Sequence, residues 1–372
     1  MILFNRPFVA PRERQYLLEA VESGHTAGDG PFTRRASALL TELTGARSAL
    51  LTTSCTHALE MTALLLDLRP GDEVILPSFT FVSTANAYVL RGAVPVFVDC
   101  RPDTLNIDEG GVEAAITTRT KVIVVMHYGG VACELDTITK VAERHGIPVI
   151  EDNAHGLGAS YRDRPLGSFG ALATQSFHAT KNVSCGEGGA LLINDGRLRE
   201  RAEILREKGT DRSRFFRGQV DKYRWMDLGS SYLPSDVLAA ALTAQLESFA
   251  ESQRARQAVW AAYDSAFADL GVGRPTVPAG SEHPAHLYYL LMPDLAARQA
   301  LIAHLAGQGV QAAFHYQPLH NAPAGERYGR TGPGGCPVTA EVADRLVRLP
   351  LYAGLTAAET GQVIAAVRAA GA

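Results

Sequence analysis

Nowhere in this 372-residue sequence do about eighteen apolar residues follow one another, which excludes a helix long and greasy enough to cross a bilayer. Cysteine is scarce and scattered. The five, Cys55, Cys100, Cys133, Cys185 and Cys336, are odd in number and include no CxxC, so neither a disulfide framework nor a zinc or other metal site is expected. That usage fits a reducing cytoplasm. The opening MILFNRPFVAPRER lacks a basic stretch followed by an apolar core, so no export signal is expected. A net charge of -4 provides no cationic field for a nucleic-acid polymer, although a small anionic ligand needs only a local pocket. Internal repeats and low-complexity tracts are also missing. What remains, 46% hydrophobic and 20% charged, is the composition of a globular enzyme, and the length fits roughly two to three domains.

Prolines at Pro7 and Pro11 hold the first dozen residues as an extended arm and predict helix only from Gln15, running to a stop at Gly24. A polar loop over His25 to Thr33 should lead into a helix from about Arg34 to Leu43. Strand-like SALLT, EVILP, VPVFVD and KVIVVMH then alternate with helical stretches ending near Leu66, Leu90 and Ile116. Such alternation predicts a mainly parallel sheet with right-handed crossovers, whose ligands gather at the strand C-terminal ends. Past Asn194 the pattern predicts a helix to about Lys208, a polar loop from Gly209 to about Ser231, and one long helix from Ser235 to about Leu270. Residues Gly329 to Pro337 read as an irregular loop, and the tail as helix, strand RLVRLP and helix. The expected division is a large domain over 13–240 and a smaller C-terminal α+β domain over 241–372 that also takes the arm 1–12.

Chemistry concentrates between Ile147 and Asn194. The apolar run Ile147 to Ile150 delivers Glu151 and Asp152 to a sheet edge, and a second run, Ala171 to Phe177, leads into His178, Thr180, Lys181 and a Cys-Gly-Glu-Gly-Gly turn. A lone lysine there would be a solvated loop cation. This one has Ser176, able to bind an anion, five residues before it, and Asp152, able to favour a protonated heterocycle, at the neighbouring strand end. Upstream, TTSCTHALEM places small polar residues at a helix start, either a simple cap or a phosphate site. PSFTFVSTANA offers Phe79 and Phe81 as core or as a platform. His155 of EDNAH could be structural or functional.

The set SFHATKN with GEGG, and EDNAH upstream, resembles the nucleotide-sugar aminotransferase branch of the aspartate aminotransferase fold, over nearly the whole chain. The resemblance implies a fold-type I enzyme of pyridoxal 5'-phosphate. In it Lys181 forms the Schiff base with the cofactor aldehyde and shuttles protons, and Asp152 faces the ring nitrogen. His155 lies near the ring hydroxyl and Phe81 against the ring. Cys55, Thr56 and Ser176 hold the phosphate. The family commonly has GxNYR where this chain has Gly229 to Leu233, so Ser231 stands where an asparagine reaches the partner subunit's phosphate. A homodimer with sites completed across the interface is therefore expected.

The substrate is less legible. Arg206 to Arg224 carries seven cations, Arg212, Arg214 and Lys222 among them, against three acids. This is either a solvated loop or a lid for the diphosphate of a nucleotide sugar. His315 and Tyr316 of FHYQPLH match a family segment lining the sugar pocket. The loops resemble those of the 4-transaminases, which implies transfer from L-glutamate to C4 of dTDP-4-keto-6-deoxy-D-glucose, giving dTDP-4-amino-4,6-dideoxy-D-galactose, an amino sugar of polysaccharide synthesis. The gluco epimer and amination at C3 remain open. A non-catalytic sugar-nucleotide regulator is disfavoured because both Lys181 and Asp152 are present.

Overall fold

The computed structural model describes residues 1–371. Its first helices are α1 (Glu13–Glu22) and α2 (Pro31–Thr44), and strand and helix then alternate through β1 (Ser48–Thr52), α3 (Cys55–Leu65), β2 (Glu73–Pro77), α4 (Val82–Val89), β3 (Val94–Val98), α5 (Glu109–Ala115), β4 (Thr120–Met126), α6 (Leu135–His145) and β5 (Val149–Asp152). A short hairpin, β6 (Ser160–Tyr161) and β7 (Arg164–Pro165), precedes β8 (Leu172–Ser176) and β9 (Gly189–Ile193). The eight-stranded sheet has the order β1-β9-β8-β5-β4-β2-β3-β12, where β12 is Arg330–Thr331. Its pairs are parallel except those of β9, which runs against both β1 and β8.

Both faces of this sheet are covered, which is why its strands read as unbroken apolar runs instead of alternating ones. Helix α3 and the 199–206 helix lie over one face around Leu59, Leu76, Val124 and Leu191. On the other, α1, α2 and α9 (Asp236–Glu247) close over Leu51, Ala173 and Leu192, while α5 and α6 cover Ile75, Ile123 and Val125. The smaller layer has β11 (Tyr288–Leu291) paired antiparallel with β13 (Leu346–Leu349), packed on α10 (Phe249–Ala266), α11 (Leu295–Gly307) and α14 (Ala357–Ala369). A shared cluster of Phe79, Tyr128, Leu287 and Tyr289 ties the layers together.

Several expected boundaries move. Helix α1 starts at Glu13, because Pro11 lies ahead of the helix and does not obstruct it; α2 starts at Pro31, because proline suits the first helical position. The single long helix expected from Ser235 is two, α9 and α10, meeting at Ser248 (φ -94°, ψ 7°). The helix expected past Asn194 is regular only over α7 (Arg199–Arg206), and the loop after it contains α8 (Arg212–Phe216). The glycine-rich 329–337 stretch supplies β12, since Arg330 pairs with the buried Glu73 and Gly332 N–H with Phe97 O. No helix among the described residues is long and apolar enough to cross a membrane.

Candidate active site

The reversed strand β9 determines where the site forms. Running against its neighbours, it starts where they end, so Gly189 sits opposite both Thr52 of β1 and Ser176 of β8. The loop from Phe177 to Gly188 must therefore turn back over that edge, carrying Lys181 with it. Closeness requires glycine there: a Cβ on Gly189 would lie 2.3 Å from the Cys55 backbone nitrogen. Asp152 ends β5 on the same edge.

The strand ends enclose a cavity of about 670 Å³, within the size range of small-molecule sites. Helix α3 points its N-terminus into it, with Ser54, Cys55 and Thr56 in the wall. Ser54 spends its hydroxyl capping the helix, accepting from His57 N–H at 3.1 Å, and the Thr56 hydroxyl lies 2.8 Å from that of Ser83. Ser176 lines the cavity too, with Lys181 and Asp152 beyond it. Burial pulls the Lys181 amine down to about 8, although Cys55 and Asp152 oppose that shift. The same burial pushes the Cys55 thiol well up, so it stays protonated and can donate.

Asp152 is buried and held by two donors. The Thr84 hydroxyl donates to Oδ2 at 2.7 Å and Ala154 N–H to Oδ1 at 3.2 Å. Thr80, whose hydroxyl is 2.9 Å from that of Thr84, can donate in turn. Burial raises the Asp152 carboxyl above its ordinary value, and Thr84, Ala154 and Lys181 pull it back towards the anion. Neighbouring Glu151 faces the opposite way along the strand and is occupied structurally, accepting from Gly167, Phe169 and Gly170 N–H and from His127.

His155 accepts the Gly129 N–H on Nδ1 at 3.3 Å, so its proton sits on Nε2, which faces Tyr316 Oη at 3.4 Å. Burial and the nearby Lys181 hold the ring neutral, well below its usual range. Its face stacks on His286 with centroids 4.0 Å apart. His315 and Tyr316 also line the cavity, and His315 Nδ1 lies 3.0 Å from Tyr128 Oη. Phe81 stands at the rim, 55% exposed, whereas Phe79 is core.

Ser231, Arg212, Arg214 and Lys222 are not brought to this cavity within one chain. Ser231 is exposed and bridges Glu207; Arg212 pairs with Glu207 at 2.6 Å and Arg214 with Glu200 at 3.3 Å. Four lining residues carried no sequence signal that singled them out: Thr84, His286, Arg348 and, from the arm, Asn5, whose side chain donates to Ala179 O at 3.0 Å. Among the described residues no group of three or more His, Cys, Asp or Glu could hold a metal ion.

Comparison with known proteins gives one consistent answer. Residues 8–368 match the model of the DegT/DnrJ/EryC1/StrS aminotransferase family. The aminotransferase TlmJ from Streptoalloteichus hindustanus is 33% identical, with 100% of this chain and 98% of that one covered and a TM-score of 0.91. A DegT DnrJ EryC1 StrS aminotransferase from Brucella abortus is 30% identical over 96% of this chain and 95% of its own, TM-score 0.89. The PLP-form of a putative sugar aminotransferase, Spr1654 from Streptococcus pneumoniae, is 27% identical over 100% and 98%, TM-score 0.92.

Proposed function

The chain belongs to the DegT/DnrJ/EryC1/StrS aminotransferase family and is a pyridoxal-phosphate-dependent sugar aminotransferase; from that premise we propose that it moves the amino group of L-glutamate to C4 of dTDP-4-keto-6-deoxy-D-glucose, giving dTDP-4-amino-4,6-dideoxy-D-galactose. The observation that carries the amino-transfer chemistry is the convergence of Lys181, Asp152 and the α3 N-terminus on one cavity. These residues fit the cofactor. A helix N-terminus with the Cys55 and Thr56 groups and Ser176 suits a phosphate, a buried carboxylate suits a pyridinium, and a buried amine without a carboxylate partner among the described residues suits an aldehyde.

Bound pyridoxal phosphate supplies an aldehyde to carry the amino group and an electron-accepting ring. This chain's own residues supply the rest. Lys181, its amine pulled down to about 8 by burial, would take the α proton of the amino donor and hand it on as the amino group moves, and would make the reverse transfer on the sugar. Asp152, kept towards its anionic form by Thr84 and Ala154, would favour a protonated ring nitrogen on the bound cofactor. His155, with its proton on Nε2, would donate to an oxygen of the bound cofactor, and Phe81 at the cavity rim would pack against its ring.

The acceptor and its stereochemistry rest on loop resemblance, supported by the cations after α7. We place those cations, with Ser231, in the partner subunit's site of a cytoplasmic homodimer. Supporting this, the segment between them exposes Phe216, Trp225, Met226 and Leu228, with Trp225 81% exposed, an apolar face suited to burial against a second copy. Product NMR tests the sugar assignment: a small H3 to H4 coupling is expected, while a large diaxial coupling places the amine equatorial and rejects the galacto product.

A further inference from the structure

Just ahead of β11 the chain is gripped carbonyl by carbonyl. Gln257 of α10 donates to His283 O, Asn182 Nδ2 to Pro284 O at 2.7 Å, and Arg256 of α10 to Ala285 O at 3.1 Å and His286 O at 2.6 Å. Arg256 is buried and has no carboxylate partner among the described residues, so its guanidinium serves these two carbonyls. Between them Ala285 sits at φ 46°, a left-handed backbone that alanine rarely adopts and that persists only where the surroundings impose it. The side chain fixed by all this is the His286 imidazole, which stacks on His155 and lines the cavity together with Lys181.

The tautomer of that ring is fixed as well. Asn182 donates its amide N–H to Pro284 O, so the atom 2.8 Å from His286 Nδ1 is an oxygen that only accepts, and the imidazole proton is on Nδ1. Nε2 is left as a lone pair with no donor among the described residues. Burial, reinforced by Lys181, Arg256 and Arg348, holds the ring neutral and well below its usual range, so that lone pair stays free. The Lys181 amine, one residue from Asn182, has no hydrogen-bond partner among the described residues either. Both side chains wall a second, much smaller cavity of about 10 Å³, together with His155, Gln175, Ser176 and Asn182; it has room for about one water, with polar groups on several sides. Of the other ionisable groups facing the amine, Asp152 of β5 is committed to Thr84 and Ala154, His155 Nδ1 to Gly129 N–H, and His315 Nδ1 to Tyr128 Oη. Cys55 of α3 is a protonated thiol, and Arg348 of β13 can only donate. We propose that His286 is a positioning residue for Lys181, its Nε2 accepting, through one water in the small cavity, from the amine whenever that amine is off the cofactor aldehyde. This rests on the transaminase reading and adds what steadies the lysine between its two proton transfers.

An acceptor favours the ammonium form, so losing it lowers the pH at which the amine becomes neutral. The test therefore reads the pH midpoint of pyridoxal phosphate uptake by cofactor-free, full-length wild type, His286→Asn and His286→Gln. Asparagine keeps a donor for Asn182 at the Nδ1 position and loses the acceptor; glutamine reaches the Nε2 position and loses the donor. The midpoint is expected to fall by about one pH unit in His286→Asn and to stay within about 0.3 of wild type in His286→Gln, whereas a purely structural role ranks the two the other way round. That reverse ranking, or one midpoint shared by all three proteins, overturns the proposal. Should His286→Asn not fold, His286→Ala is measured with and without added imidazole; a midpoint that is not lowered, or that imidazole does not restore, overturns it equally. Single-turnover absorbance with L-glutamate separates the two claims. Wild type that forms no pyridoxamine phosphate refutes the transaminase reading, and the acceptor role then stands or falls on the midpoints alone.

Discussion

Lys181 shows how one residue's surroundings set its chemistry. Only a neutral amine attacks an aldehyde, and burial brings this one down to about 8. The rate at which cofactor-free protein takes up pyridoxal phosphate should therefore climb as pH rises through about 8 and level off above it; stopped-flow absorbance across a pH series checks this. Lys181→Ala should lose transamination by about a hundredfold or more, since it removes the proton carrier as well as the covalent tether. Thr84 works through Asp152. Thr84→Val strips a charge-assisted hydrogen bond of roughly 1.5–3 kcal/mol from the carboxylate, so kcat should fall about tenfold or more, with Thr84→Ser restoring it. An unchanged kcat in the valine variant removes that positioning role. Residue types at set spacing made Lys181, Asp152 and Ser176 legible from the chain alone. Arg348 and His286 were not legible, because an arginine or histidine on a strand or loop gives no sign of which side of the fold it will face.

The elements were legible where one period dominated. Strands β1 to β5 stand out because they are buried on both faces, leaving uninterrupted apolar runs between helical stretches. The break between α9 and α10 was hidden, since neither glycine nor proline marks Ser248 and both flanking helices keep their periodicity. Packing supplies the missing information: Leu242, Ala244 and Leu246 of α9 belong with Leu40 and Leu192, while Val259 and Tyr263 of α10 belong with Tyr288 and Val347. On that ground we propose that the large unit ends with α9. The reversed strand β9 is the element on which the site depends most, and Gly189 is its point of contact with α3. Gly189→Ala should push Cys55 aside, costing about 1–3 kcal/mol of stability and weakening cofactor affinity more than stability alone explains. Denaturant midpoints and cofactor titration measure the two effects separately.

The cavity lies between the two layers, and the N-terminal arm joins them, with Ile2 bonded to Gly309 and Gln311 at one end and Ala10 packed against the large layer at the other. That arrangement makes arm, sheet edge and small layer parts of one site. The cations after α7 and the exposed Trp225 face lie outside it, and in the proposed homodimer they would complete the partner subunit's site. Trp225→Asp should shift sedimentation towards monomer and lower activity with it, and a fully active monomer rejects the shared site. The claim on which everything else stands is that Lys181 carries the amino-transfer chemistry. Borohydride reduction of the cofactor-loaded protein, before and after exposure to L-glutamate, followed by peptide mapping, addresses it directly. The account predicts label on Lys181 before exposure and its loss afterwards, as the cofactor leaves the lysine in its pyridoxamine form. Label on another lysine, on none, or undiminished by L-glutamate contradicts it.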